Sequence, residues 1–123
     1  MHRAYFTLSV CIILLGLAHI AATPRYFPAL TSTSVWFASG GLAIILTGTL
    51  NLLRRIYGDA APWLRRVCIA TNVVMTIFAL LAGYAGRASA IEFVLVLGLL
   101  GGATVLSFVS VAQRPAADPK SAA

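Results

Sequence analysis

Four long apolar runs dominate the chain, separated by short segments that are polar, aromatic or rich in proline. They cover residues 5–22, 35–53, 67–85 and 91–112, and none contains Lys, Arg or Asp. Each has 18 to 22 residues, which at about 1.5 Å per residue gives a helix of roughly 27–33 Å, close to the bilayer's hydrocarbon thickness of about 30 Å. Because lipid offers no hydrogen-bond partners, the backbone must pair within each run. The pattern therefore predicts an all-α bundle of four transmembrane helices, arranged up-down-up-down.

Composition supports a membrane protein. Hydrophobic residues make up 60% of the chain and charged residues 10%, and the mean hydropathy is +0.94, whereas soluble domains carry about 25% charged residues. Cys11 and Cys68 lie within or at the edge of apolar runs, which indicates packing residues rather than a disulfide framework. Only residues 115–123 are small, polar and proline-containing, so we expect one transmembrane domain over residues 1–114 and a disordered cytoplasmic tail.

Proline and glycine predict where the helices end. Pro24 lacks an N–H group and is expected to stop the first helix just after Thr23. Gly58 predicts a left-handed stop to a second helix that continues past the membrane edge. Pro62 is expected to open the third helix, and Pro115 to end the fourth.

The basic residues predict an orientation. Seven fall on one side of the predicted membrane and two on the other. The seven are Arg3, Arg54, Arg55, Arg65, Arg66, Arg114 and Lys120, and the two are Arg25 and Arg87. Because cytoplasmic segments carry the excess of Lys and Arg, we expect both termini and the arginine-rich middle loop in the cytoplasm, with the chain in a bacterial inner membrane.

Two alternatives to this interpretation are less favoured by the sequence. The net charge of +6 could suggest nucleic acid, but the basic residues flank apolar runs, where they can meet lipid head groups. The first run could be a cleaved signal peptide. It is long for one, however, and cleavage after Ala22 would leave Ile20 at a position that favours small residues.

His19 is the first candidate functional residue, because an ionisable group inside a membrane is costly. It shares a helix stripe with Gly16 and Thr23, and its imidazole could bridge to Ser39 or Thr33 on the second helix or hold a ligand. A metal site is not predicted. His2 is the only other histidine, and its 17-residue separation from His19 corresponds to about 25 Å along a helix.

Glu92 is the second candidate. Ser89 and Glu92 form the S-x-x-E pattern of a capping box, which explains the carboxylate structurally. The functional alternative pairs Glu92 with His19, Arg25 or Arg87, all of which are expected on the outer side.

Asn51 and Asn72 lie about one turn inside the cytoplasmic ends of the second and third helices. Their carboxamides could hydrogen-bond across that helix pair, and Asn51 could also reach the first helix. We favour a structural role, with a polar path for a solute as the alternative.

Glycines predict where helices approach closely. Gly41 and Gly48 lie on the second helix, and Gly98 and Gly102 form a G-x-x-x-G pair on the fourth. Such a pair indicates close packing without specifying whether the partner is in the same chain.

The stretches LAHIAATPRYF and VWFASGGLAIILTGTLNLL resemble small, uncharacterised four-helix proteins of the bacterial inner membrane. The resemblance covers about the first 53 residues and rests on the His-x-x-x-Thr-Pro end of the first helix and the Trp-Phe...Gly-Leu...Gly-x-x-Asn pattern of the second. It draws attention to His19, Trp36, Gly41, Gly48 and Asn51, and it implies no activity.

Two other families have this size and helix count, but the chain lacks their functional residues. Small multidrug exporters carry a glutamate in helix one, which this chain lacks. The GTLN segment ending at Asn51 is similar to small fluoride channels, but their phenylalanine-serine-threonine motif in helix three is missing.

The expected function is that of a small accessory or structural subunit that binds a protein or lipid partner. The partners expected from the sequence are the lipid bilayer and either another protein or further copies of the chain, as a homo-oligomer. No cofactor, metal or nucleic acid is predicted, and catalysis is not favoured. The first alternative is a transporter or channel with His19, Asn51 and Asn72 along a polar path. The second is a lipid-modifying enzyme with His19 and Glu92 at an outer-leaflet site.

Overall fold

The computed structural model describes residues 2–58, 60–86 and 89–108. These residues form four α-helices, which are α1 (His2–Tyr26), α2 (Ser32–Tyr57), α3 (Pro62–Ala85) and α4 (Ala90–Phe108). Each is long and apolar enough to cross a membrane, so the predicted all-α, four-helix class is confirmed. The helices include the predicted spans as far as residue 108. The rest of the fourth span, the stop at Pro115 and the tail lie outside the described residues.

Two helices begin with reciprocal capping boxes. At the start of α4, the predicted box is confirmed, because Ser89 N donates to Glu92 Oε2 at 3.0 Å and Glu92 N donates to Ser89 Oγ at 3.3 Å. At the start of α2, Thr31 and Ser34 make a second box that was not predicted, with bonds of 2.8 and 3.2 Å. Pro62 is the first residue of α3, as predicted. These bonds satisfy amides that have no partner inside the helix.

The predicted stop of α1 at Pro24 is wrong. The helix continues through Pro24 to Tyr26, and Phe27 N donates to Thr23 O at 2.9 Å. Proline already has a helical φ and removes only one backbone donor. The amides that follow it can therefore still pair, and the helix continues for three residues beyond Thr23.

The predicted left-handed stop at Gly58 is also wrong. Gly58 ends α2, but with φ −60° and ψ −30°, which is right-handed. The chain turns instead by tightening its last turn, because the carbonyl of Tyr57 accepts from both Ala60 N at 3.1 Å and Ala61 N at 3.0 Å. Gly58 therefore ends the helix without a positive φ.

Packing follows the order of the chain. α1 packs most extensively against α2, and α3 against α4, while the α2–α3 and α1–α4 contacts are smaller. The buried apolar centre consists of Ile12, Ile44, Leu100 and Ala103, one or two residues from each of three helices. The bundle is thus two hairpins joined side by side.

The α1–α2 contact is a seam of small residues. Every seventh position on each helix is small and buried, namely Ser9, Gly16 and Thr23 on α1, and Ser34, Gly41 and Gly48 on α2. A Cβ atom on Gly41 would lie 2.8 Å from the carbonyl oxygen of Gly16, and one on Gly48 would lie 2.8 Å from that of Ser9. The two backbones therefore touch, and they run in opposite directions along the seam.

The G-x-x-x-G pair on α4 behaves differently. A Cβ atom on Gly98 would meet nothing within 4 Å, and one on Gly102 would meet only the side chain of Leu8, at 3.6 Å. Within the described residues, this pair therefore marks no close backbone approach.

Candidate functional site

A buried group of polar side chains lies where α1, α2 and α3 meet. We call it the asparagine cluster, and it consists of Tyr5, Asn51, Cys68 and Asn72. The exposed fractions of these side chains are 7%, 0%, 0% and 1%. Polar atoms buried this deeply are stable only when they are hydrogen-bonded, so their partners determine what the cluster can do.

The two asparagines bond to each other across α2 and α3. Asn51 Nδ2 donates to Asn72 Oδ1 at 3.0 Å, and Asn72 Nδ2 donates to Asn51 Oδ1 at 2.9 Å. The hydrogen bond predicted from the sequence is therefore present, in a reciprocal form that uses the donor and the acceptor of each carboxamide.

Asn51 Oδ1 accepts two further bonds. One comes from Tyr5 OH at 2.6 Å and the other from the Cys68 thiol at 2.7 Å. The bond to Tyr5 is the predicted reach of Asn51 to the first helix. A carboxamide oxygen has two lone pairs, so three donors leave it no capacity to accept a further bond. Through this one atom, Asn51 joins α1 and α3 to its own helix, α2.

Arg54 extends this connection to α4. Its guanidinium donates to Ser107 O at 2.9 Å and to Tyr5 OH at 3.4 Å, and it lies 5.4 Å from the centre of the Tyr5 ring. Side-chain atoms of Arg54 and Asn51, one turn apart on α2, thereby hold the other three helices together at one end of the bundle.

Most of these partners were not predicted from the sequence. Cys68 was expected to be a packing residue and Tyr5 had no expected role. Yet Cys68 lies four residues before Asn72, and Arg54 lies three after Asn51. Residues at those spacings share a helix face. That spacing is the signal that could have placed Cys68 and Arg54 in the cluster.

His19 lies well away from the asparagine cluster. It follows Tyr5 by fourteen residues on α1, or about 21 Å along the helix. Its Nε2 lies 3.1 Å from the carbonyl oxygen of Phe37, and its ring stacks on that of Phe37 with centroids 4.1 Å apart. The expected bond to the hydroxyl of Ser39 or Thr33 is therefore wrong. The imidazole bonds a backbone oxygen of α2 instead, and the Ser39 hydroxyl donates to Trp36 O at 2.7 Å.

Glu92 does not bond Arg25 or His19 in the described residues. Glu92 is exposed; one carboxylate oxygen takes part in the capping box and the other accepts from Tyr26 OH at 3.4 Å. Arg25 is exposed in the last turn of α1. Among the described residues, no hydrogen bond or ion pair joins Glu92 to His19 or Arg25. Arg87 lies outside the described residues.

An open groove of about 480 Å³ lies between α2 and α3. Its walls are mostly apolar, and the hydroxyl of Thr47 in it donates to Ala43 O at 2.8 Å. His19, Asn51 and Asn72 are not among its lining residues. In the described part of the chain, no three His, Cys, Asp or Glu side chains are grouped as metal ligands.

These features define a class, a four-helix bundle of membrane-spanning dimensions held together by a saturated polar cluster. No family model, curated protein or solved structure matches the chain.

Proposed function

We propose that this chain is a small multi-pass subunit of the bacterial inner membrane that binds a protein or lipid partner and turns over no substrate. In this proposal both termini and the arginine-rich loop face the cytoplasm. The observation that carries it is the saturation of the asparagine cluster, whose polar atoms bond to one another and not into an open space.

A transport role would require polar groups that exchange their partners with a passing solute. Opening the bond between Asn51 and Asn72 would strand buried donors, at about 1–3 kcal/mol for each unsatisfied group. His19, the other polar candidate, is bonded to a different helix segment about 21 Å away. The arrangement therefore favours a structural role, in which the cluster holds the helices together, over a polar path for a solute.

An enzymatic role at the other end would require His19 and Glu92 to reach one substrate atom, at about 3 Å from each. His19 is instead held by Phe37, and Glu92 by Ser89 and Tyr26. Both side chains have structural partners, so catalysis is the less supported alternative.

The surface supports partner binding. Large apolar side chains point outward on every helix, for example Leu17 at 51% exposure, Leu46 at 60%, Leu81 at 64% and Val94 at 70%. In a membrane such faces meet lipid or other helices, and association there depends on shape rather than on the hydrophobic effect.

The test combines purification and flux. The full chain is isolated in mild detergent, and co-purifying proteins and lipids are quantified by mass spectrometry; we expect a partner at a fixed ratio to the chain. In parallel, proteoliposomes are assayed for proton and monovalent-ion flux. Flux above protein-free vesicles that Asn72→Leu abolishes would contradict the proposal. His19→Ala should leave both readouts unchanged.

A further inference from the structure

We propose that Arg55, which lies over the Phe6 ring, and Arg3, about one turn before Phe6 on α1, bind the phosphate of an anionic phospholipid at the arginine-rich end of the bundle. This inference rests on the proposed function, because it names a lipid as one partner of the chain. It concerns the outer face of the α1–α2 hairpin, away from the asparagine cluster.

Phe6 positions the Arg55 side chain, and Arg3 lies near it by its spacing on α1. The Arg55 guanidinium lies 4.7 Å from the centre of the Phe6 ring, a cation–π contact that restricts the side chain without using its N–H donors. Phe6 is 44% exposed, so the pair faces outward. Arg3 precedes Phe6 by three residues on α1 and is exposed, which places a second guanidinium on that side of the helix.

No carboxylate neutralises this pair among the described residues. Neither arginine has an ion pair there, and the one described acid, Glu92, bonds Tyr26 at the opposite end of α1. A guanidinium matches the geometry of phosphate oxygens and can bond them in pairs. The site therefore has donors and charge for a phosphate and no anion from its own described surroundings.

Comparison with Arg54 shows that the outward position of Arg55 is particular to that residue. It is the neighbour of Arg55 in the sequence, yet it turns inward and bonds Ser107 O and Tyr5 OH. Arg54 thus bonds inside the bundle, whereas Arg55 is exposed and can bind a ligand. Sequence position and formal charge alone would make them equivalent.

The face of α1 next to Phe6 suits a lipid better than a free anion. Val10 and Leu17 follow Phe6 at four- and eleven-residue spacing and continue an apolar stripe toward the middle of the helix. Val10 is half-buried, and Ile13 between them lies at the edge of the stripe, against Gly48 of the α1–α2 seam. Leu17 is 51% exposed. Acyl chains can lie along this stripe while the head group meets the arginines at the membrane surface. An anionic head group is favoured because a zwitterionic one brings an ammonium toward two cations.

The experiment measures lipid selectivity of the intact chain. Purified protein in a neutral detergent is given equimolar phosphatidylglycerol and phosphatidylcholine, and the bound lipid is counted by native mass spectrometry. We expect phosphatidylglycerol to be retained preferentially. Each of Arg55→Gln and Arg3→Gln should lower its retention about fivefold, the factor expected for one interfacial cation.

Three variants serve as controls. Arg66→Gln makes the same change at an exposed site on α3 and should leave the preference unchanged, as should Arg25→Gln at the other end. Arg54→Gln should lower the unfolding temperature but keep the preference, and Arg54→Lys covers the case in which it fails to fold. Phe6→Leu should weaken retention while leaving both charges in place.

Several results would overturn the inference. They are equal retention of the two lipids by the unaltered chain, equal losses in Arg55→Gln and Arg66→Gln, and equal binding of inorganic phosphate in place of the lipid. Any of these leaves the proposed function open, because a protein partner would still be recovered by co-purification.

Discussion

At the scale of single residues, Asn51 is the centre of the buried hydrogen bonds that join the helices. Its side chain makes four bonds to three other residues, and all of the atoms involved are buried. Individual interhelical hydrogen bonds in membranes average only about 0.6 kcal/mol. The strength of the cluster therefore comes from concentrating several bonds on one carboxamide.

Asn51→Leu is expected to lower the free energy of unfolding by about 2–3 kcal/mol, the sum of four such bonds. The measurement is a denaturant titration in detergent, followed by circular dichroism. Thr49→Val is the matched control, because Thr49 is exposed and bonds only the backbone of its own helix. If both variants lose the same amount, the cluster has no special role.

The double variant Asn51→Leu with Asn72→Leu tests the reciprocal pair. Removing both carboxamides leaves no unpaired amide on either side, so the combined loss should be smaller than the sum of the two single losses. Strict additivity in the same titration would mean that the two side chains do not interact.

At the scale of helices, the two hairpins differ in how closely they pack. The α1–α2 seam brings backbones together at Gly16, Gly41 and Gly48, whereas Gly83 on α3 faces the ring of Phe93. Close backbones gain van der Waals contact along their whole length, which matters in lipid because the hydrophobic effect contributes little there. The first hairpin is therefore the more sensitive of the two to side-chain volume.

Gly48→Ala is expected to destabilise the bundle by about 1–3 kcal/mol. Its Cβ would lie 2.8 Å from the carbonyl oxygen of Ser9, and because that neighbour is backbone, α1 and α2 must separate to admit it. Thermal unfolding in detergent measures the effect. An unchanged midpoint would show that the helices can shift at no cost.

Gly98→Ala is the counterpart on α4. Nothing lies within 4 Å of the new Cβ, and replacing a helical glycine removes backbone entropy, so stability should rise by up to about 1 kcal/mol. The same thermal assay applies. A loss that grows with protein concentration would show instead that a second chain packs against Gly98.

At the scale of the whole molecule, the charge asymmetry predicts the membrane orientation. Cysteines introduced at Ala29 and Ala60, both exposed, report on opposite ends of the bundle in a Cys11→Ala, Cys68→Ser background. The Ala29→Cys variant should react with a membrane-impermeant maleimide in intact cells. The Ala60→Cys variant should react only after the membrane is opened, and the reverse pattern would refute the orientation.

The overall architecture was predictable because it depends on run length and hydropathy, both of which are properties of the sequence alone. Helix ends were less predictable. The capping box at Ser89 follows from local chemistry and was found, whereas Pro24 and Gly58 have more than one local solution. At these two positions the choice depends on whether neighbouring amides still find partners.

The polar contacts were predictable only in part. The depth of Asn51 and Asn72 could be judged from their distance to the helix ends, so their pairing followed. The roles of Tyr5 and Cys68 depend on the rotation of α1 and α3 about their axes, which apolar runs without a polar face leave undetermined. His19 shows the same limit, because any carbonyl of a facing helix is an acceptor.

The continuous seam between α1 and α2 also has a consequence for biosynthesis. All of its contacts lie within the first 57 residues. The first hairpin is therefore fully synthesised while the rest of the chain is still being translated, at roughly 5–20 residues per second. The paired helices can thus leave the insertion machinery as one unit. The later hairpin then docks onto a preformed partner, with Asn51 already positioned to meet Asn72.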